Sequence, residues 1–129
     1  MTSMSSHFAV RESSLPNAGL GLFAQVPIPA DRRIGEYTGE RLTRRQWQQL
    51  DDNQCMYIME LDRPREYIDG RHDKGGGLMS YINGARTKRQ YRFVNCRPYQ
   101  YAHRIFIKTT KPVSEGEELI MDYGDEYWV

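Results

Sequence analysis

The sequence predicts a small, mainly β domain with one or two short helices. Most of its apolar residues fall in short segments that turn-forming residues separate, which is typical of strands, and one segment carries explicit helix signals. No apolar run approaches the roughly 20 residues that a membrane-spanning helix needs, so no membrane association is expected. A chain of 129 residues has enough length for one hydrophobic core but not for two.

The predicted strands are brief. The first two, at 8–10 and 20–24, are joined through the turn-forming run Pro16-Asn17-Ala18-Gly19. The remaining apolar segments predict strands at 34–37, 55–61, 66–69, 103–108 and 119–123, and a short helical turn at 78–82. The polar residues 1–7 are predicted to be a disordered tail, which places the domain at 8–129.

The clearest helix signal begins at Thr43. Thr43 and Gln46 stand in the relation of a capping box, in which each side chain satisfies a backbone donor of the first turn. Leu42 before the cap and Trp47 after it are spaced as a hydrophobic staple. The helix is predicted to end near Leu50.

Charge and composition disfavour several classes of function. The chain has 18 basic and 17 acidic residues, a net charge of +1, which gives no whole-surface attraction to nucleic acid. The basic run 86–92 is therefore expected to be a solvated loop, with a nucleic-acid contact as a weaker alternative.

Cys55 and Cys96 have no Cys-x-x-Cys neighbour and are expected to be buried free thiols. No phosphate-binding loop, Gly-x-Ser-x-Gly or His-Glu-x-x-His motif occurs, and no metal site is expected.

Five segments resemble, in order, the motifs of the SET domain of protein lysine methyltransferases. GLGLFA at 19–24 is similar to the Gly-x-Gly segment that opens the domain, and GEYTGE at 35–40 to its Tyr-x-Gly motif. SYINGA at 80–85 resembles the Arg-Phe-x-Asn-His-x-Cys motif in altered form. GEELIMDYG at 116–124 is close to the Gly-Glu-Glu-Leu-x-x-x-Tyr-Gly ending, and 57–70 resembles the two strands between these motifs.

The resemblance covers nearly the whole chain, and the order Asn-Gly-Ala-Arg at 83–86 leans toward the PR-domain branch of the family. It implies a β-clip fold of small curved sheets with a C-terminal pseudoknot, in which the last motif threads past the segment of Asn83. It also implies an enzyme that moves a methyl group from S-adenosylmethionine to a lysine side chain. The expected substrate is a histone tail or another basic protein segment, and the expected location is the nucleus.

The resemblance further implies the site residues. Tyr123 and Tyr57 are expected to be catalytic, because they match the tyrosines that orient the lysine amine. That amine must lose its proton, and its unperturbed pKa is near 10.4. The residues expected to contact the substrate are Tyr37, Met121 and Tyr127. The residues expected to bind the cofactor are Gly19, Leu20, Gly21, Tyr57, Tyr81, Asn83, Gly84, Tyr123 and Trp128.

Two departures from the family pattern leave alternatives open. Gly84 stands where most members carry histidine, and the cysteine-rich zinc segment that often follows the domain is absent. The alternative is a peptide-binding PR/SET-like module with weak or no catalysis. A homodimer that completes the lid of the site is a second open point.

Met121 replaces the Phe or Tyr that tunes the number of methyl groups, and its flexible side chain favours more than one. A viral or microbial source would place the protein in a host nucleus, and the cytoplasm is the other expected location.

Overall fold

The computed structural model describes residues 7–52, 54–61 and 66–122, and within these ranges it is mainly β. The strands are β1 (Phe8–Glu12), β2 (Leu20–Ala24), β3 (Arg33–Glu36), β4 (Glu40–Leu42), β5 (Ile58–Leu61), β6 (Glu66–Asp69), β7 (Asn83–Gly84), β8 (Cys96–Tyr101), β9 (Arg104–Thr109) and β10 (Ile120–Met121). The helices are α1 (Arg44–Gln48) and α2 (Lys88–Tyr91), with 3-10 turns at Gln54–Tyr57, His72–Lys74 and Leu78–Tyr81. Among the described residues, no helix is long and apolar enough to cross a membrane.

The strands form three small sheets. β1 and β2 make an antiparallel hairpin, and β4, β6 and β5 make an antiparallel sheet of three strands. The third sheet has the order β3-β9-β8-β10-β7. The main core takes side chains from all three sheets, and its fully buried members include Leu22, Ile34, Leu61, Leu119 and Met121.

The last described strand, β10, lies between two strands that precede it in sequence. It runs parallel to both, with Ile120 opposite Asn83, and Met121 opposite Gly84 on one side and Cys96 on the other. Parallel neighbours cannot be joined by a tight turn, so the chain must travel around the domain before it enters this gap. This is the threading that the resemblance predicted.

Asn95, directly before β8, holds the inserted segment in place. Its side chain is fully buried. Its Nδ2 donates to the carbonyl of Glu118 at 2.8 Å, and its Oδ1 accepts from the N–H of Ile120 at 2.9 Å. The backbone N–H of Asn95 also donates to the carbonyl of Ile120 at 3.0 Å. One residue therefore satisfies backbone groups on both sides of Leu119.

The predicted helix is confirmed, with both halves of its capping box. The N–H of Gln46 donates to Thr43 Oγ1 at 3.2 Å, and the N–H of Thr43 donates to Gln46 Oε1 at 2.8 Å. The ring of Trp47 stacks on Tyr67 with centroids 4.5 Å apart. Trp47 also packs against the small cluster that contains Leu42. Local signals were sufficient here because the helix start depends on residues three apart.

The strand predicted for 55–61 is wrong in its first half, where 54–57 form a 3-10 turn and β5 begins only at Ile58. Asp51 and Gln54 start this turn by capping each other, since the backbone N–H of each donates to the other's side chain at 2.9 Å.

The basic run 86–92 was predicted to be a solvated loop, but it contains a short helix. Thr87 caps the single turn of α2 by accepting from the N–H of Gln90 at 3.1 Å.

The six-residue strand β8 was not predicted from the sequence. Pro98 lies in its middle and pairs with Ile107 of β9, although proline usually argues against a strand. β10 pairs with β8 only at Cys96. Within the described residues, the edge of β8 beyond that point carries no strand partner, and such edges tolerate proline.

We predict that Asn95→Ala lowers the free energy of unfolding by about 3 kcal/mol. The buried carbonyl of Glu118 and N–H of Ile120 each lose a partner, at a cost of about 1–3 kcal/mol apiece. Urea unfolding followed by circular dichroism measures the change. Thr110→Ala, at an exposed position, is the control and should shift the value by less than about 0.5 kcal/mol. A loss below about 1 kcal/mol for Asn95→Ala would contradict the role given to this side chain.

Candidate functional site

A cavity of about 510 Å³ opens between the β1–β2 hairpin loop and the segment that carries β7. Its walls come from residues 15–18 of the loop, from Asp52, Cys55, Tyr57 and Ile58, and from residues 82–86 with Gln90. The volume lies within the range of small-molecule and cofactor sites. The lining combines apolar side chains with amide and carboxylate groups, which suits a ligand with both a flat apolar part and polar substituents.

The hairpin loop that forms one wall covers residues 13–19. Its ends are closed by the N–H of Ser13, which donates to the carbonyl of Gly19 at 2.8 Å. Gly19 has φ of +72° and Asn17 has φ of +60°, the left-handed region that glycine and asparagine adopt most readily. The sequence of this loop therefore suits the tight path that turns the chain back into β2.

The carboxylate of Glu118 lies under this loop. Ser13 Oγ donates to one oxygen at 2.6 Å, while the N–H and Oγ of Ser14 donate to the other at 2.9 and 2.7 Å. Asn83 Nδ2 makes a longer contact of 3.4 Å. Glu118 is buried, with 7% of its surface exposed. A Cβ placed on Gly21 would collide with this carboxylate.

The opposite wall is the segment of β7. Asn83 Nδ2 donates to the carbonyl of Leu20 at 2.9 Å, which ties this wall to the start of β2. The N–H of Ala85 donates to the carbonyl of Met121 at 3.0 Å, so the wall is also fastened to β10. Gly84 lies between these two anchors and presents only backbone to the cavity.

A small aromatic cluster adjoins the cavity. The ring of His72 stacks on Tyr81 with centroids 4.1 Å apart and meets Tyr57 edge-on at 6.4 Å. Its Nε2 lies 2.9 Å from Ser80 Oγ, whose hydroxyl donates to the carbonyl of Gly77 at 2.7 Å. A hydroxyl has a single hydrogen, so Nε2 of His72 must be the donor in this pair. The cluster therefore holds Tyr57 and Tyr81 around an oriented imidazole.

The structure brings some of the predicted cofactor residues to the cavity and leaves others beside it. Tyr57, Asn83 and Gly84 line the cavity. The Gly19–Gly21 segment lies next to it through the contact between Leu20 and Asn83, but the wall itself is formed by the preceding residues 15–18. Leu20 is 53% exposed. Tyr81 stacks on His72 instead of lining the cavity.

Two residues predicted to contact the substrate are buried in the described structure. Tyr37 is 1% exposed, and its hydroxyl donates to the carbonyl of Tyr57 at 2.7 Å. Met121 is fully buried. In this structure both support the walls behind the cavity. Tyr123, Tyr127 and Trp128 lie outside the described residues.

Both cysteines are free, but they differ in their surroundings. Cys96 is buried, as predicted, and burial raises the pKa of its thiol well above the ordinary value. Cys55 is only half-buried and lines the cavity, so the prediction of a buried thiol is wrong for it. Its pKa is also raised, chiefly by burial and further by the carboxylates of Asp52 and Asp51. Among the described residues, no group of three His, Cys, Asp or Glu side chains is placed to hold a metal ion.

Sequence reasoning missed several residues of the site. Glu118 was given no role of its own, although it lies inside the closing motif at 116–124 that the resemblance identified. Ser13, Ser14 and the loop 15–18 carry turn signals but no signal for a ligand. Their place at the cavity depends on contacts with residues about 100 positions away.

A second, wider cavity of about 770 Å³ lies beside the start of β8 and the end of β9. Its lining includes the cations Arg92, Arg97, Lys108 and Lys111. Lys108 Nζ is paired with Asp31 at 3.2 Å, and Lys111 Nζ donates to the carbonyl of Arg92 at 3.1 Å. Of the residues predicted for the site, none that the structure describes lines this second cavity.

Comparison with known proteins identifies the family. Residues 8–129 match the family model of the PR domain of PR domain zinc finger protein 2. A curated relative, histone-lysine N-methyltransferase set-17 of Caenorhabditis elegans, is 34% identical over 93% of this chain. The chain spans 42% of the length of that relative.

Solved structures share the fold. The ATXR5 SET domain, in complex with histone H3 dimethylated on R26, is 26% identical with a TM-score of 0.75, over 91% of this chain and 57% of that one. The ctPRC2 complex, in an autoinhibited conformation bound to S-adenosylmethionine, is 29% identical with a TM-score of 0.69, over 92% of this chain and 15% of that one. With the threaded β10 and the match over 8–129, these findings show that the chain belongs to the PR-domain branch of the SET-domain family.

Proposed function

We propose that the chain transfers a methyl group from S-adenosylmethionine to a lysine side chain of a histone tail or another basic protein segment. The observation that carries the proposal is the cavity of about 510 Å³, whose lining includes Tyr57, Asn83 and Gly84. Each of these matches a motif position that the family uses for cofactor or lysine. The wall that contains Gly84 is fastened to β10, and Tyr123 follows β10 by two residues.

The lining fits S-adenosylmethionine. Leu15, Pro16 and Ala18 offer apolar surface to a purine ring, while the side chains of Asn83 and Gln90 offer hydrogen-bonding groups. When bound, the cofactor would supply an activated methyl group on a positively charged sulfur. The ctPRC2 structure, which has the same fold, was solved with this cofactor.

The substrate lysine must reach the site as a neutral amine. Its unperturbed pKa is near 10.4, so about one amine in two thousand is neutral at pH 7. An aromatic channel that excludes water lowers this pKa by desolvation, and a nearby positive sulfur lowers it further. We assign Tyr57 and Tyr123 to this channel, where their hydroxyls orient the nitrogen toward the methyl group. Met121 stands where the family carries the Phe or Tyr that tunes the number of methyl groups, and on that position alone we extend the proposal to transfer of more than one.

The relatives support a histone substrate and a nuclear location. Set-17 is named a histone-lysine N-methyltransferase, and the ATXR5 structure holds a histone H3 segment. The chain's own net charge of +1 gives no whole-surface attraction to a basic tail, so the support for this substrate comes from the relatives.

A second candidate function is a peptide-binding module that has lost catalysis. Gly84 favours it, because this position of the cavity wall carries no side chain where most family members have histidine. In that case the cavity or the neighbouring surface would hold a ligand without transfer of a methyl group.

We predict that the purified protein transfers label from S-adenosylmethionine to core histones, and that Tyr57→Phe and Tyr123→Phe each reduce the rate by at least about tenfold. Each variant keeps the ring and removes the hydroxyl that orients the amine. Tyr101→Phe, at a residue that is 61% exposed at the end of β8, is the matched control and should retain the wild-type rate.

The assay separates the two candidate functions. Absence of transfer from the wild-type protein, together with calorimetric binding of cofactor or histone peptide, would favour the binding module. Equal loss in all three tyrosine variants would show that the readout follows folding instead of chemistry.

We predict that bound S-adenosylhomocysteine protects Cys55 from iodoacetamide, because Cys55 lines the cavity. At a ligand concentration about ten times Kd, alkylation should slow about tenfold. Without ligand, Cys55 should react more slowly than free cysteine at pH 7 and faster as pH rises, since its pKa is raised and the thiolate is the reactive form. Mass spectrometry of the modified peptides measures both effects.

Cys96 is the internal control for this experiment. It is fully buried and should react only after the protein unfolds. Saturating ligand that leaves the alkylation rate of Cys55 unchanged would place the cofactor elsewhere.

A further inference from the structure

We propose that Glu118 is a positioning residue for the cofactor site: its carboxylate fixes the loop 13–19 in the conformation that forms one wall of the cavity. This inference rests on the proposed function and concerns how the site is assembled. Glu118 is not among the residues that line the cavity, so any effect on cofactor binding acts through the loop.

The hydrogen bonds of Glu118 are directed at the loop. A carboxylate offers about four acceptor positions, and three strong bonds come from Ser13 and Ser14, with a longer one from Asn83. Hydrogen bonds to an ionised group are roughly twice as strong as neutral ones, and the burial of Glu118 reduces competition from water. The loop therefore loses its strongest contact if this charge is removed.

The loop has little else to define its path. Its internal hydrogen bonds include the closure between Ser13 and Gly19 and a long bond of 3.4 Å from Ala18 to Leu15. Residues 16, 17 and 19 are exposed, so packing contributes little to the outer part of the loop. Among the described residues, the hydrogen bonds that tie 13–19 to the rest of the domain end on Glu118.

Gly21 leaves the space that the carboxylate of Glu118 occupies beneath the loop. A Cβ at this position would collide with Oε2 of Glu118 and would lie 3.3 Å from Nδ2 of Asn83. The second glycine of the Gly-x-Gly segment therefore has a use besides approach to a cofactor, because it leaves room for the group that holds the preceding loop.

The position of Glu118 couples two parts of the site. It lies in the same inserted segment as Met121, and Tyr123 comes two residues after Met121 in the sequence. One short stretch of chain thus holds the cofactor wall at one end and carries the proposed catalytic tyrosine at the other. Removing the Glu118 charge should therefore weaken cofactor binding without slowing the chemical step.

The test compares Glu118→Gln with the matched control Glu117→Gln. Glu117 also accepts hydrogen bonds, from Asn95 Nδ2 at 3.2 Å and from the N–H of Ser114 at 2.9 Å, but none from the loop. We expect Glu118→Gln to raise the Kd and KM for S-adenosylmethionine about tenfold. The change in kcat at saturating cofactor should be less than about twofold. The control should bind the cofactor as the wild type does.

A second variant covers the case in which Glu118→Gln does not fold. Ser13→Ala with Ser14→Ala removes two of the donors and leaves Glu118 in place, and it should weaken cofactor binding to a similar extent. Hydrogen exchange without cofactor gives an independent readout: amides of the loop should exchange at least about tenfold faster in either variant, and at the wild-type rate in Glu117→Gln.

The outcomes separate this inference from the proposed function. A wild-type protein that binds no S-adenosylmethionine would overturn the proposed function and the positioning role with it, whatever the loop does. Wild-type binding that both variants retain within twofold would overturn the role of Glu118 alone. A fall in kcat with unchanged KM for the cofactor would also overturn it, because the residue would then act on the chemical step.

Discussion

The insertion of residues 117–121 among three strands is the constraint on which the rest of the domain depends. The N–H of Leu119 donates to the carbonyl of Leu22 in β2 at 2.8 Å, while β10 pairs with β7 on one side and β8 on the other. β2 lies far from β7 and β8 in the sequence, and the segment forms backbone hydrogen bonds with all three strands. Because its backbone is buried, each polar group needs a partner, and Asn95 supplies two of them from one side chain.

The same insertion assembles the site. It fastens the wall that contains Gly84 through the bond from Ala85 to Met121, and it places the carboxylate of Glu118 under the loop that forms the other wall. The cavity lies between two elements that both depend on one segment. A rigid frame of this kind suits methyl transfer, in which a lysine nitrogen and a methyl group must be held in line.

Sequence and structure agree best where the signal is local. The capping box of Thr43 and the hairpin of β1 and β2 could be predicted because their residues are near one another. The 3-10 turn before β5 depends on a cap between Asp51 and Gln54 that overrides an apparent strand pattern. β8 was not predicted, and Pro98 in its middle is a residue that strands accept only where one edge is free.

The residues of the site also differ in whether a local sequence motif predicts them. Tyr57, Asn83 and Gly84 were predicted from motifs, and they line the cavity. Glu118 could not be assigned a role, because its hydrogen bonds reach Ser13 and Ser14 across more than 100 residues.

The central claim is that the cavity between the hairpin loop and β7 binds the cofactor. Its most direct test is a titration of the isotopically labelled protein with S-adenosylhomocysteine, followed by amide chemical shifts. We expect shifts in residues 15–18 and 82–86 and at Tyr57. Shifts confined to the second cavity, around Arg92 and Lys108, would contradict it.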